Sequence, residues 1–133
     1  NGSFWKRLKP RTKADRKLMK SVASYNVFAV CPGPAECKRS RRALVCRMYP
    51  FEPYLDKKGK VLGLVYQHDR KEKCPLIGRP QKTYNPVYIR NSVEFWRELL
   101  ELLPDEKELY MKESRKHRKK AKRKGKRVRV FMP

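Results

Sequence analysis

Residues 91–104 read NSVEFWRELLELLP. Asn91 followed by Glu94 is a helix-start pattern, and Trp96, Leu99, Leu100 and Leu103 recur at the i, i+3, i+4, i+7 spacing of one helical face. Pro104 has no backbone N–H to give and ends or kinks that helix. Asp105 and Glu106 then stand where a second helix N-terminus favours negative charge, and a Lys/Arg run lies toward its other end. Seven of the thirteen acids fall between Glu94 and Glu113, so this is the near-neutral part of the chain, expected to face protein.

Upstream the apolar pattern shortens to strand length. Residues 43–49 and 61–67 are two strand candidates, and 26–30 is a third β-favouring run, ended by Cys31-Pro32-Gly33-Pro34. Between the first two lie Pro50, Pro53 and Asp56-Lys57-Lys58-Gly59, which predicts a hairpin with a long or irregular loop. Gly63 inside a strand marks a bulge or a close backbone approach. Residues 68–90, with Pro75, Gly78, Pro80 and Pro86, read as an irregular loop held by a partner. The core is expected from residues 27–30, 43–48, 61–66 and 93–103. The fold class is α+β: a small irregular β-hairpin or sheet centre with one or two C-terminal helices and long basic extensions at both ends. The expected division is a basic arm with a short helix (1–24), an α+β centre (25–110) and a basic tail (111–133).

The ends carry the charge. From Arg115 to Arg129 there are eleven Lys or Arg in fifteen residues and no acid, in a chain of 133 residues with a formal net charge of +23. The arm has Lys6, Arg7, Lys9, Arg11, Lys13, Arg16, Lys17 and Lys20 against one acid, Asp15. Such segments repel themselves and are expected to be disordered until a polyanion neutralises them. Within the arm, Thr12 followed by Asp15 matches a capping box only loosely, with Asp in place of the usual Glu or Gln. Ala14, Leu18 and Val22, with Met19 and Ala23 beside them, make a narrow apolar stripe suited to a helix lying on a partner. Charge spread this widely suits an extended phosphate backbone better than a small ligand. No run approaches the roughly twenty apolar residues of a membrane span. The acid-poor, Lys/Arg-rich start suits the region after a mitochondrial presequence, and whether a leader was removed before Asn1 stays open.

Four cysteines offer a metal set. Cys31, Cys37, His68 and Cys74 supply three thiols and one imidazole, the number and softness of a closed structural zinc site, and Cys46 is an alternative to His68. Five residues separate each pair, against the two to four of usual zinc knuckles. The competing readings are scattered reduced thiols, with Cys46 a core residue in a strand, or a Cys31–Cys37 disulfide. The reading adopted is no cofactor, with zinc as the alternative. His117 has no nominated partner and reads as RNA-facing or solvated. No paired carboxylates in an apolar setting, Gly-rich phosphate loop or Ser-centred elbow occurs, so no enzyme is expected.

Tyr84, Tyr88, Tyr49, Tyr54, Phe4 and Trp5 are interleaved with cations or prolines, as in single-strand binders. Core packing is the better reading for Tyr49, Tyr66, Phe95 and Trp96. Residues 4–7 and 78–84 join aromatics to cations without a core pattern and are the preferred contact segments. The expected RNA-binding residues are Trp5, Lys6, Arg7, Lys9, Arg11, Lys13, Arg16 and Lys17 in the arm, then Arg39, Arg41, Arg42, Arg79, Lys82 and Tyr84. In the tail they are Arg115, Lys116, Arg118, Lys119, Lys120, Lys122, Arg123, Lys124, Lys126, Arg127 and Arg129.

A small globular centre with basic extensions at both ends resembles the ribosomal proteins, and among them the lineage-specific components of mitochondrial ribosomes. The resemblance covers the whole chain and lies in its layout rather than in a motif. It implies a structural component that binds and neutralises rRNA through its extensions. The implied partners are rRNA and neighbouring ribosomal proteins, with no membrane and no small-molecule substrate. The implied location is the mitochondrial matrix, with nucleus or cytosol as the alternative. The second function reading is a zinc-stabilised nucleic-acid-binding module outside the ribosome, and the third an interaction protein working through residues 94–113.

Overall fold

The computed structural model describes residues 6–21, 24, 27–30, 36–38, 40, 42–67, 75 and 77–133. It divides into two compact units, Asn1–Ala43 and Leu44–Pro133.

In the first unit, strands β1 (Lys6–Arg7) and β2 (Ala29–Val30) pair antiparallel, Lys6 opposite Val30 and Arg7 opposite Ala29. Helix α1 (Lys13–Lys20) starts where its capping residues dictate. The Thr12 hydroxyl accepts from the Asp15 N–H at 3.0 Å, and the Asp15 carboxylate accepts from the Thr12 N–H at 2.8 Å. Asp therefore completes the box as Glu would. No residue of α1 is buried, and Leu18 is 47% exposed.

The second unit is built on a β-hairpin. Strands β3 (Phe51–Leu55) and β4 (Val61–Tyr66) pair antiparallel, with Phe51 opposite Tyr66 and Pro53 opposite Leu64. The turn between them is the expected Asp56–Gly59 segment. The Asp56 carboxylate accepts from the N–H groups of Lys58 and Lys60 at 2.8 and 2.9 Å, and Gly59 takes φ +84°. The amide of Lys60 first, then that of Lys58, holds the Asp56 carboxyl below its usual range.

A 3₁₀ turn at Gln81–Thr83 leads to helix α3 (Pro86–Leu102), followed directly by helix α4 (Pro104–Arg123). Helix α3 packs on β4 and α4 on β3. Ile89, Val93, Trp96 and Leu100 of α3 meet Phe51, Leu55, Val61 and Leu64 of the hairpin in one core, with Met48, Tyr84 and Phe131. The fold is α+β, with its sheet at the centre and its helices C-terminal.

Four local expectations need correction. Residues 44–48 form a helix, α2 (Leu44–Met48), and not a strand. Leu44 and Met48 sit one turn apart on its inner side, Cys46 is exposed, and Pro50 prevents continuation. The hairpin partner of β4 is consequently the stretch expected as loop. Its Pro53 is tolerated because β3 pairs with a strand on one edge alone. Helix α3 begins at Pro86 rather than near Asn91, because Asn85 caps it: its side-chain oxygen accepts from the Val87 N–H at 2.9 Å, with Pro86 at the first helical position. Tyr49 and Phe95, expected in the core, are 38% and 45% exposed.

The tail departs most from expectation. Helix α4 runs unbroken through residues 110–111, where a boundary was expected. It ends at Arg123, and just beyond its cap Gly125 takes φ +60° while the N–H of Lys126 reaches the Ala121 carbonyl at 3.0 Å. The chain then returns to the hairpin. Leu64 donates to the Phe131 carbonyl at 3.0 Å, and Phe131 donates to the Leu64 carbonyl at 2.8 Å. Gly63 allows this approach, since a Cβ there would stand 2.5 Å from the Phe131 oxygen. The Phe131 ring, 1% exposed, packs edge-on against Phe51, Tyr66 and Tyr84, each at 5.1 Å between centroids.

Candidate nucleic-acid interface

Helix α4 has two working faces. The inner face closes the free edge of β3, which would otherwise invite pairing with another chain. Ser114 is buried, and its hydroxyl accepts from the Leu55 N–H at 2.9 Å. Arg118 donates to the Leu55 carbonyl at 2.7 Å, and its guanidinium lies 5.6 Å from the Tyr54 ring centroid. His117 Nε2 lies 2.7 Å from the Glu52 carboxylate, with side-chain exposures of 13% and 14%. Tyr110 packs edge-on to Trp96 at 5.1 Å. Burial first, then the charges of Glu106, Glu52 and Glu113, push its phenol up to about 12.

Two of the expected RNA contacts therefore hold the protein together. Arg118 is tied to β3. Tyr84 is buried at 7% exposure, its hydroxyl 2.5 Å from that of Tyr66 and its ring against Phe51. A base cannot stack on it without opening the core. His117 is likewise engaged with Glu52 rather than solvated. Lys116 pairs with Glu113 at 2.6 Å.

The outer face presents Arg115, Lys119, Lys122 and Arg123, all exposed. Around the helix end, Lys120 of α4 and Lys124, which caps it, meet Lys126, Arg127 and Arg129 of the returning segment. Together they line an open cleft of about 220 Å³, with Val65, Tyr66, Gln67, His117, Ala121 and Val128. Arg129 is oriented by its own contacts: it donates to the Arg79 carbonyl and lies 5.1 Å from the Phe131 centroid. No acid follows Glu113 in the sequence, so the segment's own charges here are all positive. The return of this segment to the sheet was missed from sequence, and its signal was the Val128, Val130, Phe131 pattern after Gly125.

In the first unit, Lys6 and Arg7 on β1, and Lys9, Arg11, Lys13, Arg16 and Lys17 beyond it, are exposed. Lys6, Arg7, Lys9 and Arg11 help line an open depression of about 710 Å³. Asp15 is occupied by the Thr12 and Arg11 amides, Thr12 first, which hold its carboxyl below the usual range. Arg42 is half-buried, and Arg79 and Lys82 are exposed.

Trp5, Arg39 and Arg41 lie outside the described residues, as do Phe4, Cys31, His68 and Cys74, so the zinc set falls there apart from Cys37. Cys37 is a buried free thiol and Cys46 an exposed one, which corrects the reading of Cys46 as a core strand residue. Among the described residues, no helix is long and apolar enough to cross a membrane. No family model, curated protein or solved structure matches this chain.

Proposed function

We propose that this chain is an RNA-binding structural component of a mitochondrial ribosome, contacting rRNA through the basic end of α4 and the segment that returns from it. The observation that carries the reading is the arrangement of Lys120, Lys124, Lys126, Arg127 and Arg129 around one cleft, in a stretch without a carboxylate. Five cations held by a folded frame lose less freedom on meeting phosphates than the same cations on a free tail. The basic first unit adds a second set of phosphate contacts, and the role is scaffolding rather than chemistry. Its partners on this reading are rRNA and neighbouring ribosomal proteins.

The test is sedimentation of organellar lysate on a sucrose gradient, with the chain followed by immunoblot. The reading expects the chain in the ribosomal particle fractions at low salt and its release at high salt. A chain that stays at the top of the gradient under both conditions rejects the ribosomal assignment.

A further inference from the structure

Resting on the RNA reading, we infer that the cleft at the end of α4 receives one unpaired nucleotide of the bound RNA, not the uniform backbone of a duplex. Three observations converge on this. The cleft has about 220 Å³ of free volume, the scale of a nucleotide unit rather than of a lone phosphate. Val65, Tyr66, Ala121 and Val128 contribute apolar atoms to its lining among the cations. Cations alone suffice for phosphates; apolar atoms set among them also remove part of a base or sugar from water. The walls are fixed, because β4 and the returning segment are bonded to each other through Leu64 and Phe131 at 2.8 and 3.0 Å. Unstacked nucleotides of loops and bulges can be splayed into such a site, and those of a continuous duplex cannot.

Ala121 gives a test that leaves charge untouched. It lies on α4, half-exposed, so Ala121→Leu fills the cleft while keeping a good helix former. Fluorescence anisotropy of the full-length chain would be measured with a single-stranded RNA, a blunt duplex RNA and a free nucleoside monophosphate. The expected result is a loss of about tenfold in single-strand affinity, in keeping with the contribution of one buried base, and an unchanged duplex affinity. Weak binding of the monophosphate, abolished by the same substitution, would place the nucleotide itself in the cleft. Thermal unfolding confirms the fold of the variant, and Ala121→Gln replaces it if Leu disturbs packing. Equal losses for both RNAs, or no loss for either, overturn the inference while the RNA reading stands. A wild-type chain that binds neither RNA overturns both.

Discussion

The two basic regions share a composition and differ in how the protein holds them. Helix α1 is set by its ends: a capping box fixes its start, and none of its residues is buried. Helix α4 is set by its face: Ser114, His117 and Arg118 grip β3, and Phe131 brings the rest of the segment back to the hairpin. Net charge is therefore no guide to how a basic segment is held. What decides is whether a few residues among the cations reach a core, since burial of one Phe contributes roughly 1.5–3 kcal/mol. Mutual repulsion of exposed charges is screened within about 10 Å at moderate salt, so it weighs less.

The largest expected difference between the regions comes from removing these anchors. Phe131→Ala should cost about 3–5 kcal/mol in chemical denaturation of the second unit, whereas Leu18→Ala on α1 should change it by less than about 0.5 kcal/mol. Equal effects would mean the two basic regions are held alike. Gly63→Ala comes next. The added Cβ meets the Phe131 carbonyl at 2.5 Å, so the return must shift, with a loss of about 1–3 kcal/mol and weaker amide protection at Leu64 and Phe131. Unchanged protection would show that the approach is looser than described.

A pH series sharpens the comparison from both sides. The Tyr110 phenol has a pKa of about 12 against an ordinary 10.0, so the fold prefers its protonated form. Its contribution is complete below pH 10.0 and is lost as pH rises through about 12. Alkaline unfolding of the second unit should therefore be shallower in Tyr110→Phe. The smallest effect belongs to α1. Asp15 has a folded pKa below 3.8, so its support is present above pH 3.8 and is lost as pH falls through the lowered value. Amide NMR of residues 13–20 should show the helix loosening in acid, and Asp15→Asn should weaken that response.

How far these features were legible in sequence follows the same division. Helix α3, the Pro104 break, the Asp56–Gly59 turn and the special role of Gly63 could be read because each depends on local spacing or backbone freedom. The Thr12–Asp15 cap was legible for the same reason. Residues 44–48 were not, because a short apolar run has no period that separates helix from strand. Strand β3 was hidden by Pro50 and Pro53, which an edge strand accommodates. Tyr84 and Phe131 were missed because their partners, Phe51 and Tyr66, are distant in sequence. The cations of the interface were visible from composition. Their sorting into structural Arg118 and cleft-lining Lys120 or Arg127 required the helix face.

The central claim is that RNA is bound electrostatically by the framed cations at the end of α4. Its most direct test is the salt dependence of rRNA affinity, for the wild-type chain and for a variant with Lys120, Lys124, Lys126 and Arg127 all changed to Gln. The account predicts a steep linear fall of log affinity with log salt for the wild type. It predicts a slope shallower by roughly one for each phosphate contact removed in the variant, with its folding unchanged. Wild-type binding that is equal at low and high salt, or a variant with the wild-type slope, would contradict it.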